Sequence, residues 1–134
     1  MHLLASRFLH PTDAVELTRK VAASCGLPYP ATYSLTTPHI KVIRRRHADR
    51  ELVNLQDIVT SLREMNFTAK AYSFEKTKAC EQVRLMLDSD VVVGPHGAGL
   101  TNVIWMKPCS VVIETFPWGY VLPQYFGNLA ADSG

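Results

Sequence analysis

The spacing of apolar residues along the chain switches repeatedly between a helical and an extended period. Val15, Leu17, Val21 and Ala22 mark a first helix that Thr12 and Asp13 can cap, with Gly26 as its stop and Pro28 beyond it. A polar, proline-punctuated link over residues 28–38 leads into HIKVIRR, residues 39–45, a short strand. From Asn54 the pattern turns helical: Leu55, Ile58, Val59, Leu62 and Met65 fall at i, i+3, i+4, i+7 and i+10 and draw one apolar stripe. TAKAYSF, residues 68–74, alternates as a second strand, and a helix over about 78–88 buries Val83, Met86 and Leu87. Then come the strand DVVV, a glycine-rich turn, a helix over about 98–106, the strand SVVIE at 110–114 and a weak last helix around 122–131.

Strands separated by helices of this length imply right-handed βαβ units and a parallel sheet. VVV and VVI are unbroken apolar runs, as expected of strands covered on both faces. The pattern shows no internal repeat and no second-domain linker, so it predicts one small α/β domain over residues 1–134, a doubly wound parallel sheet.

Composition narrows the classes of function. With 134 residues, 47% of them hydrophobic and 19% charged, the chain can bury a core and is neither disordered nor of low complexity. A net charge of +2 is too small to argue for nucleic acid or a membrane surface, so any anion site must be local. No apolar run approaches the ~20 residues of a membrane span. The first ten residues, MHLLASRFLH, are too short and too broken for a signal peptide. The expectation is therefore either a cytosolic protein or a piece of a larger one whose targeting lies elsewhere. Cys25, Cys80 and Cys109 are odd in number and lack CxxC spacing, which reads as buried thiols rather than a disulfide framework or a zinc site. Asn66-Phe67-Thr68 spells a glycosylation sequon, a triplet that often arises by chance.

The chemistry concentrates in the turn after Val93. In an open parallel sheet ligands bind outside the carboxyl ends of the strands, and a helix starting near Ala98 points its free N–H groups there. Gly94, Gly97 and Gly99 allow a sharp turn and a close approach, which suits a phosphate. Neither standard phosphate motif fits. A Walker loop needs Gly-Lys-Ser/Thr, and the dinucleotide fingerprint Gly-x-Gly-x-x-Gly is replaced here by Gly-x-x-Gly-x-Gly on the third predicted strand, with Pro95 removing a donor. A nicotinamide-dependent oxidoreductase is thereby a weaker rival, although Glu114 ends the next strand where an acid could bind a ribose. His96 could donate to a phosphate or leaving group, act as a base, or cap the turn through a backbone carbonyl.

Arg44, Arg45 and Arg46 end the first strand, with Arg50 close behind. Strand alternation sends neighbours to opposite faces, so one or two of them can make bidentate contacts to a diphosphate. Asp88-Ser89-Asp90 resembles the Asp-x-Asp of metal-dependent sugar-nucleotide enzymes. It precedes the valine strand, however, at the edge opposite the glycine turn, and reads as a helix stop and strand start. Glu75 and Glu81 have no evident acidic partner, so no metal site is assigned.

Taken in order, Arg45, Arg50 and Asn54, then Gln82-Val83, then VVVGPHGAGLTN, then a proline turn and VVIETFP resemble the carboxyl-terminal part of glycosyltransferase family 61 over about residues 40–120. That family includes protein O-linked N-acetylglucosaminyltransferases and plant xylosyl- and arabinosyltransferases. The resemblance implies inverting transfer from a nucleotide sugar, usually a UDP-sugar, to a glycan or protein hydroxyl, in a GT-B fold of two Rossmann-like halves. This chain would be the nucleotide-binding half, dependent on an amino-terminal half, with no tightly bound cofactor and no divalent metal assigned.

Carried over by position, Arg45 and Arg50 would meet the diphosphate, with Arg46 as the alternative to Arg45. His96, Gly97, Ala98 and Gly99, with Thr101, would line the donor pocket, and Glu114 would hold the ribose hydroxyls. His96 is the one candidate for a catalytic role. Pro108-Cys109 departs from the Pro-Gly that the family often has there. The implied compartment is the endoplasmic reticulum or Golgi lumen for a eukaryotic protein, and the cytoplasm for a bacterial one. A degenerate, non-catalytic nucleotide-binding module is the second rival.

Overall fold

The computed structural model describes residues 10–29, 37–45, 51–122 and 124–134. Within them the order is α1 (Pro11–Ser24), β1 (His39–Ile43), α2 (Leu55–Glu64), β2 (Thr68–Tyr72), α3 (Ala79–Leu87), β3 (Val91–Pro95), a 3-10 helix (Ala98–Trp105), β4 (Val111–Thr115) and α4 (Phe126–Asp132). The four strands form one parallel sheet in the order β2-β1-β3-β4, the arrangement of a Rossmann-like α/β fold. The chain leaves β1 in one direction to build β2 and then crosses to the other side for β3. The switch point therefore lies between the carboxyl ends of β1 and β3.

Alternation along β1 assigns the two faces. Ile40 and Val42 pack with Leu55 and Val59 of α2 and Ala69 of β2. Ile43 points the other way, into a cluster with Met86, Val92, Leu100, Val103, Met106, Phe126 and Leu129. One face thus carries α2, while the other carries α3, the 3-10 helix and α4. α1 lies outside this second layer, where Ala22 meets Val83 and Leu87.

Four expectations need correction. The stripe of α1 is Ala14, Thr18 and Ala22, while Leu17 is 38% exposed. Small residues at i, i+4 and i+8 let α1 lie close to its neighbours, and Thr18 Oγ1 donates to the carbonyl of Ile104 at 2.9 Å. Its N-cap is His10, whose side chain accepts from the N–H of Thr12, while the Asp13 carboxylate accepts from the His10 N–H at 3.0 Å. The segment after the glycine turn is 3-10 rather than α-helical, because glycine and the run Thr101-Asn102-Val103-Ile104 are poor α-helix formers. Nor is β4 covered on both faces. Val111 and Ile113 pair with Val91 and Val93 on the α2 side of the sheet, yet are 51% and 48% exposed.

The fourth correction concerns the cysteines. Cys25, at the end of α1, and Cys80, in the first turn of α3, form a disulfide, with Cα atoms 5.4 Å apart, and Cys109 is an exposed thiol. Fifty-five residues separate the two half-cystines, so their meeting is a product of the α1–α3 packing and not of local spacing.

Candidate functional site

A cleft of about 470 Å³ opens at the switch point, within the size range of small-molecule sites. Its walls come from three places. Ile43, Arg44 and Arg45 continue β1; Pro95, Gly97, Ala98 and Gly99 form the turn after β3; Phe74, Glu75, Gln82 and Asn102 close the remaining side.

The turn is shaped for proximity. Gly94 packs so closely on Ile43 that an added Cβ would stand 3.1 Å from the Ile43 Cβ, which draws β1 and β3 together just below the cleft. Gly97 adopts φ +153° and ψ 179°, a conformation almost confined to glycine, and a Cβ there would overlap Arg45 Nη1. Arg45 therefore lies directly over the Gly97 backbone, and its Nη1 donates to the carbonyl of His96 at 3.3 Å. The first N–H groups of the 3-10 helix begin at the same place, beside the guanidinium.

His96 is held from outside the cleft. The residue is 6% exposed and does not line the cavity. Nδ1 lies 2.5 Å from Glu114 Oε1, and the backbone N–H of His96 donates to the Thr115 carbonyl at 2.8 Å. Phe116 stacks on the ring at a centroid distance of 5.4 Å, while Tyr120 and Phe126 meet it edge-on at 5.3 and 5.2 Å. The pair thus anchors the turn to β4 and α4, and fixes the carbonyl on which Arg45 leans.

The sequence-derived residues consequently divide. Arg45, Gly97, Ala98 and Gly99 meet in the cleft. His96 and Glu114 are brought together, but against each other, and Thr101 is exposed outside the lining. Arg46 and Arg50 lie outside the described residues.

The polar floor was not assigned from sequence. Asn102 Nδ2 donates to Gln82 Oε1 at 3.0 Å, and Gln82 Nε2 donates to the Thr77 carbonyl at 2.8 Å. Both residues sit inside the motifs that carried the resemblance, Gln82-Val83 and the terminal asparagine of GAGLTN, which was the available signal.

At the amino edge of the sheet the acidic triplet is fully engaged. Asp88 Oδ2 receives the buried Lys41 ammonium at 2.7 Å, and Asp90 Oδ1 receives that of Lys107, which is 5% exposed, at 2.6 Å. Burial works to raise both carboxyls, but it is outweighed for Asp88 by Lys41 and His39. For Asp90 it is outweighed by the His39 N–H and Lys107, so both stand below the ordinary aspartate value. Among the described residues no group of three or more His, Cys, Asp or Glu side chains could hold a metal ion, and no helix is long and apolar enough to cross a membrane.

Comparison with known proteins adds sequence-wide evidence. The family model described as Glycosyltransferase 61 matches residues 5–113. The chain is 30% identical over 106 residues to the alpha-1,3-arabinosyltransferase XAT3 of Oryza sativa subsp. japonica, a match covering 76% of the chain and 18% of the rice protein. It is 31% identical over 133 residues to the beta-1,2-xylosyltransferase XAX1 of the same plant, covering 95% of the chain and 21% of that relative. To the EGF domain-specific O-linked N-acetylglucosamine transferase of Gallus gallus it is 26% identical over 80 residues, 58% of the chain and 15% of that protein. The chain spans about a fifth of the length of these curated relatives.

Proposed function

The chain belongs to glycosyltransferase family 61, and on that premise we propose that it forms the donor-binding half of a GT-B type glycosyltransferase, taking a UDP-sugar for inverting transfer to a glycan or protein hydroxyl. The observation that carries the reading is Arg45 laid over Gly97 at the rim of the switch-point cleft, with the first N–H groups of the 3-10 helix beside it.

In an inverting transfer the acceptor oxygen attacks the anomeric carbon from the face opposite the diphosphate. The bond from that carbon to the diphosphate oxygen breaks, and negative charge gathers on the leaving group. Arg45 and the turn amides meet that charge from fixed positions, which is where electrostatic catalysis is most effective. The acceptor proton goes to a base contributed by the amino-terminal half. Glu75, Gln82 and Asn102 line the cleft and offer acceptors and donors for the ribose and base, whereas Glu114 is committed to His96. His96 acts as a positioning residue, through the carbonyl that orients Arg45.

The Cys25–Cys80 disulfide supports an oxidising compartment, the lumen of the endoplasmic reticulum or Golgi. The ligand test is a thermal-shift series with UDP, UMP, uridine and NADH. Stabilisation should be greatest with UDP and fall as phosphates are removed. Equal shifts with UDP and uridine, or a shift with NADH alone, would reject the diphosphate reading.

A further inference from the structure

Asn66-Phe67-Thr68 occupies the turn between α2 and β2, and its geometry differs from that of a chance triplet lost in a helix or core. α2 ends in a Schellman motif: the Asn66 N–H donates to the Arg63 carbonyl at 2.9 Å, and the Phe67 N–H to the Leu62 carbonyl at 3.0 Å. Asn66 takes the left-handed position with φ +64°, a conformation that asparagine tolerates better than most residues. Its side chain and that of Thr68 are exposed, while Phe67 is half-buried against the α2 face of the sheet. The acceptor amide and the hydroxyl two residues on are thus both presented to solvent, and the residue between them anchors the turn.

Position in the fold is equally permissive. Thr68 is the first residue of β2 and pairs with His39 at the amino end of β1. The turn therefore lies at the edge of the sheet opposite the cleft, beside an outer strand, so a bulky substituent would not cover the site. The disulfide is the independent second observation, because a chain that acquires it passes through an oxidising compartment, the kind in which eukaryotic cells also attach N-glycans.

We propose that Asn66 is an N-glycan acceptor, an inference that rests on the lumenal reading above. The donor class is an oligosaccharide on a lipid diphosphate. A bond forms between Asn66 Nδ2 and the anomeric carbon, the bond from that carbon to the diphosphate oxygen breaks, the amide gives up one proton, and the lipid diphosphate leaves. No electron is gained or lost.

The test is mass spectrometry of the protein recovered from its own cells, before and after peptide-N-glycosidase. The treated protein should run one step lower in mass, with Asn66 converted to aspartate. Asn66→Gln and Thr68→Ala should run at the lower position untreated, and Thr68→Ser should keep the glycan. An unmodified Asn66 in protein whose Cys25 and Cys80 are disulfide-bonded overturns the proposal while leaving the compartment intact. An unmodified Asn66 beside reduced cysteines overturns both.

Discussion

At the amino ends of β1 and β3, Lys41 meets Asp88 and Lys107 meets Asp90, each at hydrogen-bond distance and with the lysine buried. At the carboxyl ends of the same two strands, Arg45 leans on the neutral carbonyl of His96, over a glycine, at the rim of an open cleft. The first arrangement neutralises charge against charge. The second positions a cation that meets no carboxylate among the described residues. An anion of suitable size can complete the second arrangement, and nothing needs to complete the first. The Asp-x-Asp spelling therefore belongs to stability, and on the proposed function the glycine turn serves binding, although either motif alone could be read as a sugar-nucleotide site.

The largest effect should come from opening the closed end. Asp90→Asn removes the carboxylate that meets both the buried Lys107 ammonium and the His39 N–H, and should cost about 3–5 kcal/mol, seen as a fall of roughly 10 °C or more in thermal midpoint, with UDP affinity unchanged in the folded fraction. Next comes the tether: reducing Cys25–Cys80, or Cys80→Ser, should cost about 2–4 kcal/mol, since the bond closes a long loop in the unfolded chain. Gly97→Ala should combine strain of about 1–3 kcal/mol with displacement of Arg45. It is the one substitution here expected to lower both stability and UDP affinity.

The smallest effect is on pH. Asp88 and Asp90 are held below the ordinary aspartate value, so their stabilisation is complete above that value and is lost as pH falls through their lowered folded values. The midpoint of the folded protein should start to drop below about pH 4, and the drop should be blunted in a double variant lacking both carboxylates.

Short-range patterns in the sequence specify their elements, whereas contacts between distant residues leave no local signal. The stripe from Leu55 to Met65 and the valine run of β3 are local patterns, and both elements lie where the periods place them, except that the stripe stops at Leu62: Met65 caps the helix and is 64% exposed. In α1 the apolar pattern places Val21 and Ala22 correctly but not Leu17, and it misses Ala14 and Thr18, which are hidden by closeness of approach rather than by hydrophobicity. The 3-10 helix was legible only as some form of helix, since glycine and β-branched residues weaken the α form without specifying the alternative. The disulfide and the His96–Glu114 pair were invisible for one reason: each joins residues that the sheet order and helix packing bring together, over separations of 55 and 18 residues. The cleft was anticipated at its glycine turn and at Arg45, which a single strand-end argument reaches. Its floor, Gln82 on Asn102, required α3 and the 3-10 helix to be placed side by side.

On the proposed reading Arg45, which among the described residues meets no carboxylate, is the cation that receives the diphosphate. Calorimetric titration of UDP into the parent protein, Arg45→Ala and Asp90→Asn tests it most directly. Arg45→Ala should weaken UDP binding by at least about tenfold, as loss of a charge-assisted hydrogen bond does, while Asp90→Asn should bind UDP as the parent does. A folded Arg45→Ala protein that binds UDP with the parent's affinity would contradict it.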